Sequence, residues 1–261
     1  MKINFYKYHG TGNDFIMIDD RFHELDKLRV RDIQLMCHRR FGIGADGLIL
    51  LRNHEQYNFE MIYYNSDGNI SSMCGNGGRC IVQFARDLDL IKEECTFLAI
   101  DGPHEAKILD GEVRLKMKDV TTIESGEGFY ILDTGSPHYV KLVEDVDKVD
   151  IIPDAQKIRY NDRYRQNGIN VNFIKIKNDN TLDIRTYERG VEDETYSCGT
   201  GVVAAAIAAS EAKKTHAETF GIFTKGGQLS VSFKRAGHQY SDIWLCGPAT
   251  FVFSGGYEVK P

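Results

Sequence analysis

Two short segments of this chain match each other, and each opens an apolar stretch. The first is Met73-Cys74-Gly75-Asn76-Gly77-Gly78 and the second is Ser197-Cys198-Gly199-Thr200-Gly201. After the first come Cys80, Ile81, Phe84, Ala85 and Leu88, which share one face at helical spacing. After the second comes 202–209, apolar all round, the pattern of a helix buried on every side. The chain thus offers a thiol at the start of a helix twice, close to half a chain length apart. A duplicated domain, each copy holding one buried helix, is the arrangement this repeat points to.

The chemistry of such a position is specific. A helix N-terminus carries unpaired N–H groups and the positive end of the helix dipole, so it favours anions. A thiol held there has its pKa drawn down toward neutrality and can act as base or acid near neutral pH. The glycines let backbone approach a ligand and offer bare N–H groups to a carboxylate or phosphate. Either cysteine alone reads equally well as a small buried hydrophobe. The repeated Cys-Gly-x-Gly-helix grammar favours function.

At 261 residues the chain can bury a large core and divide into two domains. A net charge of −6 without any basic block argues against nucleic acid as a partner. No apolar run approaches the roughly 18 residues of a membrane span. Met1-Lys2-Ile3-Asn4-Phe5-Tyr6 enters a strand pattern directly, so no signal peptide is read and a cytoplasmic location is expected. The six cysteines, Cys37, Cys74, Cys80, Cys95, Cys198 and Cys246, are too sparse for a disulfide framework. None forms a Cys-x-x-Cys pair, and the histidines do not join them at metal-ligand spacing. The expectation is an enzyme without metal or cofactor that acts on a small molecule.

Strand-like alternation dominates both halves. In the first it covers 2–8, 15–19, 48–52, 59–65 and 96–100, followed by a hairpin of 106–109 and 113–117 around Asp110-Gly111. A charged helix fits Val30 to Arg40, with Ile33, Met36 and Cys37 on one face. The acidic stretch 119–128 reads as a linker. Strand patterns then resume at 129–132, 139–143, 171–177, 182–187, 217–224, 228–233, 240–245 and 250–253. The implied fold class is α+β, with a curved sheet or barrel wrapped around a helix in each half.

Gly42-Ile43-Gly44-Ala45-Asp46-Gly47 fits G-x-G-x-x-G literally. The dinucleotide fingerprint needs a strand before the glycines and a helix after them, and here that order is inverted. These glycines read as a tight helix-to-strand connection.

Several polar clusters surround the thiols in sequence: His9–Asp14, Asn65-Ser66-Asp67-Gly68, Thr134-Gly135-Ser136-Pro137-His138, Asn170, and Thr186-Tyr187-Glu188-Arg189-Gly190. Singly, each is ordinary turn chemistry. Asn65 and Glu188-Arg189-Gly190, however, lie upstream of the two thiols at matching topological points. A carboxylate for an ammonium group and an arginine fork for a carboxylate suit an amino acid substrate.

Taken with Arg39–Gly47, Met73–Cys80, Gly135–Val140 and Cys198-Gly199-Thr200-Gly201, this set resembles the diaminopimelate epimerases. The resemblance runs from residue 6 to about 253 in the family's order of motifs. It implies two pseudo-symmetric domains, each a β-barrel around a central α-helix. The first would span 1–119 with Cys74, completed by a C-terminal strand over 250–261, and the second 128–249 with Cys198. It implies cofactor-independent interconversion of LL- and meso-diaminopimelate by a homodimer, with Cys74 and Cys198 as the acid/base thiols. Gly75, Asn76, Gly199 and Thr200 would hold the reacting carboxylate. Asn13, Asn65, Asn170, Glu188 and Arg189 would bind the amino groups and distal carboxylate, and His138 and Glu188 would support the thiols.

The chain departs from the family pattern at three places. Gly47 stands where the family often has glutamine, Ser136 where it has asparagine, and 191–197 looks one residue longer than the common form. Two other readings stay open. One is a proline-racemase-like enzyme, disfavoured because Asn76 replaces that family's histidine and Glu188-Arg189 its aspartate segment. The other is a binding protein in which Cys74 and Cys198 form a redox switch.

Overall fold

Strand alternation in the first half becomes a barrel around one helix. The computed structural model describes residues 1–71, 73–213 and 217–259. The chain divides into two units, one of Met1–Leu115 with the segment from Pro248 onward, the other of Lys116–Gly247. In the first unit β1 (Lys2–Gly10), β2 (Asn13–Asp19), α1 (Val30–Cys37), β3 (Gly47–Arg52) and β4 (Phe59–Asn65) lead to α2 (Gly75–Asp87). Then follow β5 (Glu94–Ala99), β6 (Gly102–Leu109) and β7 (Glu112–Lys116). The C-terminal strand, Thr250–Glu258, returns to pair antiparallel with β1. Residues 260–261 of the expected C-terminal strand lie outside the described residues.

Helix α2 is the axle of this unit. Gly75 to Val82, Phe84 and Ala85 are buried along it, against β1, β2, β3 and β6. Ile81, Val82 and Phe84 are at most 1% exposed. Each contributes about 1.5–3 kcal/mol of transfer free energy when so buried. Helix α1 stops at Cys37, short of the expected Arg40, because the returning chain takes its last carbonyls. Ile43 and Gly44 donate to the Met36 carbonyl, and Ala45 donates to that of Cys37. At Gly42 an added Cβ would meet the Leu35 carbonyl oxygen at 1.8 Å, so this connection tolerates no side chain there. Asp110 and Gly111, with φ of 53° and 80°, close β6 onto β7 in the left-handed conformation of a two-residue hairpin.

The second unit repeats the plan. It contains β8 (Ile123–Gly126), β9 (Phe129–Asp133), β10 (Pro137–Leu142), α3 (Ile151–Arg159), β11 (Asn170–Ile176), β12 (Thr181–Glu188) and β13 (Asp193–Thr195). Helix α4 (Gly199–Lys213) follows, then β14 (Thr219–Thr224), β15 (Gly227–Ala236) and β16 (Gln239–Gly247). Segment 119–128 is therefore no simple linker, since β8 pairs antiparallel with β9. Its residues Glu124, Ser125 and Gly126 are exposed. The ladder holds this edge strand with little burial, and it leaves no apolar alternation to read. Helix α3 buries only Ile151 and Ala155, too short a stripe for a periodicity argument. Helix α4 is buried at Gly199 and from Gly201 to Ser210, as its all-round apolar sequence requires.

Pairing directions make the duplication explicit. From the C-terminal strand through β1 to β7 they run antiparallel, antiparallel, parallel, antiparallel, parallel, antiparallel, antiparallel. From β8 to β12 and on through β14 to β16 the series is identical. Each parallel step needs a crossover, and α1, α2, α3 and α4 supply them. Cys74 and Cys198 therefore precede equivalent crossover helices.

Candidate active site

In the first unit Cys74 is the N-cap of α2, and its carbonyl accepts from Gly78 N–H at 2.7 Å. The side chain meets Asn13 at the start of β2, with Cys74 Sγ 3.6 Å from Asn13 Oδ1. Asn76 Nδ2 donates to that same oxygen at 3.2 Å. Charged groups behind them fix both amides. Asn13 Nδ2 donates to Asp46 Oδ2 at 2.7 Å, and Asn76 Oδ1 accepts from Arg79 Nη2 at 3.0 Å. Arg79 is fully buried and also donates to Thr11 Oγ1 and the Gly75 carbonyl. Burial would raise the Asp14 carboxyl, but hydrogen bonds from Arg39 and Lys7 outweigh it and hold the group at about 2. Arg39 bridges Asp14 to Asp46, so this ionic knot steadies the support of Asn13.

The second unit builds its thiol site differently. Cys198 precedes α4 and accepts from Val202 N–H at 2.9 Å. Its sulfur lies 3.5 Å from Thr200 Oγ1, which lies 2.9 Å from His138 Nε2. Asn172 Nδ2 lies 3.0 Å from His138 Nδ1, and Thr186 Oγ1 donates to Asn172 Oδ1 at 3.0 Å. Burial pushes the His138 imidazole down to about 3, so it is neutral, and Thr200 stands between it and the sulfur. Gly201 permits this approach. An added Cβ there would fall 2.6 Å from Asn172 Oδ1 and 3.3 Å from His138 Cε1.

Asn170 opens β11 and binds the turn that follows β12, its Oδ1 accepting from the Arg189 backbone N–H at 2.8 Å. Its Nδ2 donates to Ser136 Oγ at 2.8 Å, so Ser136 holds Asn170 in place. Arg189 Nη1 donates to the Asn167 carbonyl at 2.9 Å. Asn65 and Glu188 end the equivalent strands β4 and β12. The register pairs Asn65 with Gly47. At Gly47 an added Cβ would lie 2.5 Å from the Tyr63 ring and 2.6 Å from the Tyr64 carbonyl oxygen, so β4 leaves no room for a glutamine.

The segment 191–197 is anchored by Glu192. Its carboxylate accepts from Arg159, Gly190 N–H, Tyr160 and Tyr187, which outweigh burial and lower its pKa. Asn172 is absent from the residues picked out by sequence, while Arg79, Asp46, Thr186 and Glu192 fall inside picked-out segments that gave them no role of their own. Asn172 left one usable signal, since it lies two residues from Asn170 and shares its strand face. Glu192 left none, being a charged residue in a polar turn.

None of the six cysteines is in a disulfide. Burial drives Cys37, Cys80 and Cys95 up to about 12, far from acid/base use at neutral pH. Among the described residues no group of His, Cys, Asp and Glu could hold a metal ion. Among them, too, no helix is long and apolar enough to cross a membrane.

A sequence profile of the family described as diaminopimelate epimerase matches residues 5–125 and 130–252. The diaminopimelate epimerase of Flavobacterium psychrophilum is 51% identical over 249 residues, covering 95% of this chain and 97% of the relative. That of Chlorobaculum tepidum is 41% identical, covering 94% and 98%. Among solved structures, a PhzF-family phenazine biosynthesis protein from Bacillus anthracis has a TM-score of 0.74 at 13% identity, covering 99% of this chain and all of that one (100%). A hydroxyproline epimerase from Agrobacterium vitis, with bound trans-4-hydroxy-L-proline, scores 0.67 at 15% identity, covering 98% and 92%. At such identities these structures speak for the fold alone, and they share it. The sequence matches run through both repeated halves and nearly the whole length, and the chain belongs to the diaminopimelate epimerase family.

Proposed function

We propose that this chain interconverts LL- and meso-diaminopimelate by moving one proton at the α-carbon, a step toward lysine and peptidoglycan. The observation that carries this reading is the pair of thiols at equivalent helix starts, each tied into its own polar network. In the proposed reaction one cysteine, as thiolate, takes the α-proton and becomes a thiol. The other, as thiol, gives its proton to the opposite face and becomes a thiolate. Charge developing on the substrate carboxylate meets the N–H groups of Gly75, Asn76, Gly199 and Thr200. No cofactor is invoked, so helix N-termini and water exclusion must supply the stabilisation. Asn13, Asn65, Asn170, Glu188 and Arg189 would read the amino groups and the distal centre.

Replacing Cys74 or Cys198 by serine keeps the volume nearly constant but supplies a much weaker acid or base. Each variant should lose epimerisation and solvent deuterium incorporation at the α-carbon of diaminopimelate while retaining its circular dichroism spectrum. Near-normal turnover by either variant would refute the two-base reading. We further propose a cytoplasmic homodimer. Cysteines outside any disulfide suit a reducing compartment. Phe251, Val252 and Phe253, 47%, 52% and 44% exposed on the C-terminal strand, offer an apolar surface to a second copy. Sedimentation of the purified protein tests the oligomeric state.

A further inference from the structure

The two thiols share a helix N-terminus as environment, yet their hydrogen-bond networks reach the sulfurs with opposite polarity. In the first unit the Asp46 carboxylate only accepts, so Asn13 must turn Nδ2 toward it. The Arg79 guanidinium only donates, so Asn76 must turn Oδ1 toward it and Nδ2 toward Asn13. Both constraints leave Asn13 Oδ1, a carbonyl oxygen, facing Cys74 Sγ at 3.6 Å. Such an oxygen takes a proton donor and favours the neutral thiol.

In the second unit the Tyr139 carbonyl only accepts, so Asn172 turns Nδ2 toward it at 3.3 Å. The same NH2 group reaches His138 Nδ1, which must therefore accept. A neutral imidazole accepting at Nδ1 carries its proton on Nε2 and donates it to Thr200 Oγ1. The hydroxyl proton of Thr200 is then turned away from His138, and Cys198 Sγ lies 3.5 Å from that oxygen. Either atom of that pair can donate; with the His138 proton already on Oγ1, the hydroxyl proton is the one left to turn toward sulfur, and a hydroxyl donated to sulfur favours the thiolate.

We infer that the free protein carries Cys198 as thiolate and Cys74 as thiol, an asymmetry set by Asn13 on one side and by Asn172, His138 and Thr200 on the other. This rests on the reading of these cysteines as the acid/base pair. The protein then begins with the stereoisomer whose α-hydrogen faces Cys198. Sulfur 198 gains that proton, sulfur 74 loses its own to the opposite face, and one proton must return from Cys198 to Cys74 before the cycle repeats. Asn172 and Thr186 are positioning residues in this scheme, because they act on the sulfur only through His138 and Thr200.

The ultraviolet thiolate band of the whole protein at neutral pH tests the assignment without turnover. Cys74→Ser and Thr200→Ser should keep the band, whereas Cys198→Ser and Thr200→Val should each lose one thiolate equivalent. Nitrogen-15 spectra should show the His138 proton on Nε2 and a bare Nδ1. Loss of the band in Cys74→Ser with its survival in Cys198→Ser would overturn the inference, as would a proton on Nδ1. Because neither readout needs substrate, a protein with this asymmetry that failed to epimerise diaminopimelate would refute the functional reading separately.

Discussion

His138 shows how far burial reshapes a single residue. With no exposed surface its imidazole is held near pKa 3, well below the ordinary value near 6.5. The folded state therefore resists protonation that the unfolded chain accepts. This contribution to stability is complete above about pH 6.5 and is lost as pH falls toward about 3. Denaturation midpoints measured between pH 7 and pH 5 should fall with pH in the natural protein. His138→Gln should flatten that slope by up to about 1.4 kcal/mol per pH unit. An unchanged slope would mean that the imidazole is not held neutral. Arg189 makes a different single-residue case. Its contact with Asn170 runs through the backbone N–H, so Arg189→Lys leaves that bond and removes the planar fork together with its bond to the Asn167 carbonyl. We expect kcat/KM for diaminopimelate to fall by about 2 kcal/mol of transition-state binding, the scale of a hydrogen bond to a charged group. Unaltered kinetics would take Arg189 out of substrate recognition.

At the scale of elements, legibility followed burial and period. Strands with a buried alternate face, such as β4 and β12, stood out by alternation, and α4 by its apolar run. β8 did not, because its ladder to β9 stabilises a polar edge that composition reports as linker. α1 ends before its periodicity does for a tertiary reason, the capture of its carbonyls by 43–45. Within the site, the thiols and their glycines were readable because helix starts impose a local grammar. Arg79, Asp46 and Asn172 act across elements, and no local pattern announces such partners. Gly201 joins both kinds of information. Its sequence role is the second glycine of the repeated motif, and its structural role is to admit Asn172 and His138 against the first turn of α4. Gly201→Ala should leave α4 formed, since alanine is the better helix former. It should nevertheless push Asn172 and His138 away and lower kcat by on the order of tenfold or more, a loss consistent with about 1.4 kcal/mol. Full activity with an ordinary circular dichroism spectrum would show that this contact does not matter.

Across the whole molecule the repeat is topological, yet the chain closes its two copies differently. The second unit takes its first strand, β8, from the chain immediately ahead of β9, whereas the first unit waits for its equivalent strand until the C-terminus. That strand pairs with β1 from Lys2 opposite Glu258 to His9 opposite Thr250. It also sets Phe253 edge-on to Phe5 at 5.8 Å and Phe251 against Tyr8 at 5.5 Å. Tyr8 in turn donates to Asp87 Oδ2 at 2.6 Å, tying β1 to the far end of α2. A chain ended after Ala249 would leave β1 with an open edge, whose unpaired N–H and C=O groups invite aggregation. Protection should then be lost from β1 and, through Tyr8, from α2, whose N-cap is Cys74. The amides of α4 should stay protected, because their cover comes from strands of the second unit. Hydrogen exchange read peptide by peptide measures both expectations at once. If β1 and α2 kept their protection in the shortened chain, the C-terminal strand would be an appendage rather than the closing element of the first barrel.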